Sequence, residues 1–253
     1  MAMAACFVAT IAQLAGEHWA IAMGIVLFAL GFSHGAGEED SGAIRSYRFQ
    51  AIIAYLLVGS GVAALYLAFP LSGLVVFFLL SAWHFARCEP ALGKWSGLAI
   101  AGLAIGGSAL FRPAETEQVL SLVVSGSVPA FFMTLLTWAG GLGSVAAVAA
   151  LLTRSRGAML VIVALIATAM LQPVLAVGLV FLVCHAIPVL QRQLEDYGAD
   201  AVWAATAWPT VTATLGAAAL VLLVLTAGID LRLAVALALG LATPHMLTER
   251  LDR

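Results

Sequence analysis

The chain has 253 residues, of which 63% are hydrophobic and only 9% are charged. An average soluble domain carries about 25% charged residues, so this chain has too few charges to cover a water-exposed surface. The composition excludes a soluble globular domain, a disordered chain and a disulfide scaffold, and it predicts an all-α, polytopic helical membrane protein. The net charge is −2 and there is no basic tract, which argues against nucleic acid as a partner.

Hydrophobic runs fill almost the whole chain and predict a transmembrane helical bundle of about eight to ten helices. We expect them to form a single integral membrane domain over residues 1–253. The first run, 3–14, is short for a span and has no positively charged n-region, which favours a thin first helix or an interfacial segment over a cleaved signal. The stronger candidate spans are 18–35, 49–68, 71–86, 95–111, 129–152, 158–172, 174–190, 206–228 and 231–247.

The positive charges give these helices an orientation. If the helix at 18–35 ends in the cytoplasm and the later helices alternate, only Arg112 and Arg232 of the 11 lysines and arginines fall outside. Such a bias follows the positive-inside rule, and a miscounted central helix would have scrambled it. We therefore expect a protein of a bacterial inner membrane. The residues on its cytoplasmic side are Arg45, Arg48, Arg87, Lys94, Arg154, Arg156, Arg192, Arg250 and Arg253.

Four of the five histidines follow one pattern. His18 lies at the outer start of its helix and is interpreted as interfacial. The others lie near the cytoplasmic ends of apolar helices that run inward, which brings four imidazoles to a similar depth: His34, His84, His185 and His245. One such histidine alone is best explained by a hydrogen bond to a carbonyl or a headgroup. Four at matched depth predict a metal site, because neutral imidazole is the commonest metal ligand and separate bundle helices can supply the ligands.

Carboxylates follow three of these histidines. Glu38 comes four residues after His34, Glu89 five after His84, and Glu249 four after His245. A metal-bound histidine usually donates its other ring N–H to a carboxylate or a carbonyl, so Glu89 and Glu249 are candidates for that supporting role. The alternative, that these are solvated acids at helix ends, stays open.

The sequence around the histidines is apolar and rich in aromatic residues. Aromatic side chains at helical spacing usually pack in a core or face lipid. A dry channel for a long hydrophobic substrate would give the same pattern. The aromatic residues concerned are Phe32, Phe77, Phe78, Trp83, Phe85, Phe131, Phe132, Trp138 and Phe181.

Three of the histidine segments carry a family resemblance. HGAGEE starts at His34, SAWHFARCE contains His84, and PHMLTE contains His245. In these segments and in their order along nearly the full length, the chain resembles the Brp/Blh family of membrane β-carotene 15,15′-dioxygenases. The family's segments are HGA-x-D-H, S-A-x-H-F-G…D, H-S-L-R-H and P-H-M-L…E, and Glu38 and Glu89 stand at the acid positions of the first two.

The chain departs from this pattern in the first and third segments. Glu39 stands where the first segment of the family ends in histidine. In the third segment His185 is present, but Pro188 replaces the arginine and Val189 replaces the second histidine. Pro188 also frees a backbone carbonyl one turn earlier. The resemblance implies that His34, His84 and His185 bind iron and that one ligand is missing.

His245 is the natural replacement for the missing ligand, or it acts beside the substrate. We expect His245 and Glu38 to be the catalytic candidates. Cys88, four residues after His84, is a weaker substitute ligand.

The resemblance implies a reaction. Fe(II) held by histidines would bring O₂ to the central double bond of β-carotene, a lipid-soluble substrate that enters from the membrane, and the cleavage would yield retinal. Two alternatives stay open. One is a relative that binds a carotenoid or a metal without cleavage, and the other is a proton or ion transporter. A transporter would more often show interrupted helices in two symmetric halves, and no such repeat is visible.

Overall fold

The computed structural model describes residues 1–31, 35, 38–40, 43–45, 48–87, 92–227 and 230–251. Within these ranges the side chains at 38–40, 220, 221, 224, 225, 227, 245 and 247–251 are not described. The described backbone is almost entirely α-helical, which confirms the predicted all-α membrane bundle.

Eleven helices and one short β-hairpin make up the described part. The helices are α1 (Ala2–Ala15), α2 (Glu17–Leu30), α3 (Phe49–Ala68), α4 (Pro70–Arg87), α5 (Lys94–Phe111), α6 (Pro113–Val124), α7 (Ala130–Leu152), α8 (Ala158–Met170), α9 (Pro173–Tyr197), α10 (Ala199–Ala227) and α11 (Leu231–Leu251). The strands β1 (Glu38–Asp40) and β2 (Ala43–Arg45) pair antiparallel, with Glu38 opposite Arg45.

Five helices among the described residues are long and apolar enough to cross a membrane: α3, α4, α5, α7 and α9. Shorter apolar helices are α1, α2, α8 and the part of α11 from Leu231 to Pro244. At about 1.5 Å per residue, the 18 or more residues of each long helix match the hydrocarbon thickness. The chain is therefore an integral membrane protein.

The helices α9 and α10 differ most from their predicted bounds. The span predicted for 174–190 continues to Tyr197, and the next helix starts at Ala199 instead of 206. Hydropathy fades after Ile187, but the polar residues that follow form an amphipathic helical end. The chain turns only at Gly198, whose φ of +79° is readily adopted by glycine.

The helix α6 was not predicted. Its sequence is too polar for a span, but Pro113 suits its first turn and Glu115 lies there as well. Arg112 pairs with Glu115 at 2.5 Å and also donates to the carbonyl of Met170 at 3.1 Å.

The chain divides into two compact units. The first comprises Met1–Gly31, Ala82–Leu122 and Gly126–Val189. Its core is built from alanine, leucine and valine of α1, α2, α5, α7, α8 and α9. The helices α5 and α7 touch backbone to backbone, since a Cβ added at Gly102 would lie 2.6 Å from the Cα of Gly143. Such close contact replaces the hydrophobic effect, which does not drive helices together within lipid.

The second unit comprises Phe32–Ser81, Val123–Ser125 and Leu190–Arg253. Here α3 packs on α11 where Gly59 faces Gly240. The fully buried Tyr66 donates its hydroxyl proton to the carbonyl of Val123, which satisfies its polar end. The expectation of one integral membrane domain over 1–253 stays a prediction.

A buried histidine pair as the candidate metal centre

His84 lies in the last turn of α4 and is fully buried in the first unit. The last turn of a helix carries partial negative charge, which favours a cation nearby. The helix α5 approaches this turn closely, because Gly97 leaves no side chain against the carbonyl of Ala86; an added Cβ would lie 2.8 Å from that oxygen. Gly97 thus allows α5 to pack directly against the end of α4.

His185 lies in a π-helical turn, Leu182–Ala186, in the middle of α9. The N–H of Ile187 donates to the carbonyl of Leu182, five residues back. Pro188 explains this wide turn: it has no N–H for the carbonyl of Cys184, and its ring would clash with that carbonyl in a regular helix. Single π turns occur often at functional sites, where they re-aim a side chain. The proline that departs from the family pattern therefore sets the backbone under His185.

The imidazoles of His84 and His185 meet directly. Their Nε2 atoms are 3.0 Å apart, their ring centroids are 4.7 Å apart, and the rings stand at 65°. His185 is 3% exposed and His84 not at all. This separation suits an N–H···N hydrogen bond, which spans about 2.9–3.0 Å. It also suits two ligands of one cation, because nitrogens bound at about 2.1 Å and at right angles lie about 3.0 Å apart.

Aromatic rings surround this pair. Phe85 meets His185 edge to face at 4.6 Å, and Phe181 lies nearly parallel to His185 at 5.7 Å with 28° between the planes. Phe28 covers Phe181 at 4.6 Å. Among the described residues these aromatic neighbours of His185 are apolar, and an apolar environment strengthens electrostatic interactions with a charge.

The sequence pointed to Phe85 and Phe181 but missed Phe28 and Gly31. A Cβ added at Gly31 would collide with the ring of Phe181. The available signal was the position of Gly31 at the end of an apolar helix, three residues before His34. Of the other aromatic candidates, Phe131 is 63% and Trp138 70% exposed, so both lie on the outer surface of α7.

The remaining site candidates are not tested by the structure. His34, Glu89 and Cys88 lie outside the described residues. Glu38 has its backbone in β1, while the backbones of His245 and Glu249 lie in α11; the side chains of these three are not described. Their roles stay predictions.

Two further positions bear on a metal site. Val189, at the place of the family's second histidine, is fully buried. Cys184 is also buried, and its thiol donates to the carbonyl of Leu160 at 3.3 Å. Outside the undescribed segments, no group of three or more histidine, cysteine, aspartate or glutamate side chains is close enough to hold a metal. Of the four histidines predicted to bind a metal, His84 and His185 have described side chains.

Comparison with known proteins gives one result that bears on function. The curated proteins and the solved structures yield no match. The profile of the family described as beta-carotene 15,15′-dioxygenase matches residues 25–251, a stretch that includes all four histidines of the pattern. The chain therefore belongs to the beta-carotene 15,15′-dioxygenase family.

Proposed function

We propose that this protein is a non-haem iron oxygenase that cleaves β-carotene, or a similar carotenoid, at its central double bond. The observation that carries the proposal is the buried His84–His185 pair, with Nε2 atoms 3.0 Å apart, in a chain of this family. In the reaction the central carbon–carbon double bond breaks and each carbon takes one atom of O₂. β-Carotene would then give two molecules of retinal.

The described residues fit an iron ligand set. Imidazole is a ligand suited to iron, and the separation of the two Nε2 atoms is that of neighbouring ligands on one cation. We propose His84 and His185 as ligands, with His34 and His245 as the further ones. When bound, Fe(II) supplies the electron-transfer chemistry that O₂ requires, and no carboxylate charge is needed to hold it.

The protein side chains would orient the ligands, exclude water and accept hydrogen bonds from the ligating histidines. If Nε2 of each imidazole faces the cation, the remaining ring proton lies on Nδ1. We propose that Glu89 and Glu249 accept hydrogen bonds from these N–H groups. Glu38 acts beside the substrate in this proposal, and His245 does so if it is not a ligand. The phenylalanines around His185 exclude water, which protects the site from side reactions. A carotenoid reaches such a site from the lipid, in keeping with a position near the cytoplasmic side of a bacterial inner membrane.

Val189 favours a second candidate function, a family member that binds a carotenoid or a metal without cleaving it. The family's second histidine of the third segment is absent here, and its place holds a fully buried aliphatic side chain. Valine cannot bind a metal, so catalysis depends on whether another histidine replaces the ligand. Retention of iron and carotenoid without turnover would identify this second function.

The proposal is tested in bacteria that accumulate β-carotene. We expect the wild-type protein to bleach the cells and to form retinal, measured by chromatography. His84→Ala and His185→Ala should each lower retinal formation at least a hundredfold, because each removes one proposed ligand. The matched control is His18→Ala, since His18 is exposed at the start of α2 and should not matter.

Metal content of the purified protein completes this test. We expect close to one iron per chain, loss of activity on chelation, and recovery on addition of Fe(II) but not Zn(II). His84→Ala and His185→Ala should lose iron, whereas His18→Ala should keep it. Full iron content in the double variant His84→Ala/His185→Ala would show that the pair does not hold the metal.

A further inference from the structure

We propose that Phe181, seated against Gly31, is a positioning residue that fixes the ring orientation of His185. This inference rests on the proposed function, in which His185 binds the metal. Phe181 has no polar atom for a metal, and the proposed ligand with which its ring is in contact is His185.

The ring of His185 is bounded by aromatic neighbours on several sides. Phe181 lies nearly parallel to it, while Phe85 and His84 present their edges at 72° and 65°. Offset-stacked and edge-to-face arrangements of aromatic rings are favourable beyond the area that they bury. A rotation of the imidazole about its side-chain bonds would break all three contacts together.

Phe181 is itself held in place. It is 4% exposed and packs on Phe28 at 4.6 Å and on Phe85 at 6.2 Å. On another side the ring lies against the backbone of Gly31, where an added Cβ would collide with two atoms of the Phe181 ring. Because the ring is buried, we expect a side chain at position 31 to displace it and to disturb its contact with His185.

The π turn concerns the backbone and leaves the ring direction to side-chain contacts. In this turn the N–H of Ile187 donates to a carbonyl five residues back instead of four, which changes the direction in which the neighbouring side chains leave the helix. Cys184 ties the turn to α8 through its thiol, which fixes the backbone but not the neighbouring imidazole. Phe181 lies one turn before His185 on the same helix and supplies the missing restraint.

If Phe181 fixes the ring of His185 in advance, less conformational entropy is lost when His185 binds a cation. A ligand whose rotamer is already fixed loses little conformational freedom when the metal binds. Supporting residues around metal-bound histidines typically change metal affinity by about 10–100-fold when they are removed. We expect an effect near the lower end, about tenfold, because Phe181 acts by packing alone.

The experiment measures Co(II) binding by the purified full-length protein in detergent, using the visible absorption of Co(II) as the readout. Phe181→Leu and Gly31→Ala should each weaken Co(II) binding about tenfold and change the shape of the absorption spectrum. The matched controls are Phe132→Leu, at another buried phenylalanine, and Gly141→Ala, where an added Cβ meets nothing within 4 Å. Both controls should leave the affinity within twofold of wild type.

A double variant separates positioning from general packing. In Gly31→Ala/Phe181→Leu the smaller leucine relieves the collision, so the melting temperature should recover toward that of wild type. The Co(II) affinity should stay about tenfold weaker, since no ring stacks on His185. Recovery of affinity together with melting temperature would show that the ring acts only as packing and would overturn the inference.

Failure of the inference and failure of the proposed function give different results. If His84→Ala/His185→Ala binds Co(II) like wild type, or if wild type binds none, the proposed metal site is wrong and the inference falls with it. If that double variant loses binding while Phe181→Leu and Gly31→Ala bind like wild type, only the inference is wrong.

Discussion

A histidine within a membrane helix needs a partner for its ring nitrogens, since no water is available in the hydrocarbon region. His84 and His185 meet this need for one nitrogen each, because their Nε2 atoms face one another at 3.0 Å. Without a metal this contact satisfies one buried polar atom of each ring, and in the proposed function the same two atoms are neighbouring ligands of the iron. Because the two side chains are in contact, we expect the effects of replacing them to be non-additive.

A double-mutant cycle on the metal-free protein tests this coupling. His84→Phe or His185→Phe alone should destabilise the protein by about 1–3 kcal/mol, because the remaining imidazole loses a buried partner. His84→Phe/His185→Phe should cost less than the sum of the single changes, since both polar atoms are gone. The measurement is thermal or denaturant unfolding in detergent with a chelator present. Additive losses would show that the contact adds nothing to stability.

At the scale of elements, glycines set the distances between helices. Gly102 and Gly143 bring α5 and α7 into backbone contact, and Gly97 brings α5 to the end of α4 beside His84. The helix α9 starts at a cap in which the side chain of Gln172 accepts from the N–H groups of Val174 and Leu175. The first contact therefore positions the end of α4 that carries His84, and the cap fixes the start of the helix that carries His185 in its middle.

The same substitution at two glycines of α7 should have opposite effects. Gly143→Ala places a Cβ 2.7 Å from the backbone carbon of Gly102, which cannot yield, so we expect a loss of about 1–3 kcal/mol. Gly141→Ala meets nothing within 4 Å and should be neutral or stabilise by up to about 1 kcal/mol through helix propensity. Melting temperatures of the two variants measure this difference. Equal shifts would contradict the close packing of α5 on α7.

At the scale of the whole molecule, the described helices expose many large apolar side chains on their outer surfaces. Large hydrophobic side chains such as Leu57, Leu142 and Met159 are between 69% and 71% exposed, as expected of surfaces that face lipid. Among the cationic residues, Arg112, Arg154 and Arg156 lie between helices, and Arg87 and Lys94 lie at helix ends. The distribution of the cationic residues predicts an orientation of the chain in the membrane.

Reporter fusions test this orientation in a bacterial inner membrane. Alkaline phosphatase fused after Gly126, which follows α6, should be active because that loop is predicted to lie outside. Green fluorescent protein fused after Arg156, between α7 and α8, should fluoresce because that loop is predicted to lie in the cytoplasm. The exchanged fusions serve as controls and should be silent. The reverse pattern would invert the predicted topology.

The prediction of spans succeeded where the signal is local. The span predicted for 49–68 coincides with α3. The span at 71–86 is one residue shorter than α4 at each end, and the span at 95–111 starts one residue after α5. Hydropathy is a property of consecutive residues, so a run of apolar side chains marks a helix without knowledge of its neighbours. Helices in polar segments were not predicted from hydropathy, since α6 and the end of α9 are helical without being apolar.

By itself the sequence determined the membrane class, the helical fold and the family, because composition and short motifs can be read without knowledge of which residues are in contact. It also marked His84 and His185 as unusual residues in apolar helices. Only the tertiary structure decided that these two rings meet, that Pro188 coincides with a π turn, and that Phe28 and Gly31 enclose Phe181. These contacts depend on which helix faces approach each other, and that choice arises from packing between residues far apart in the chain.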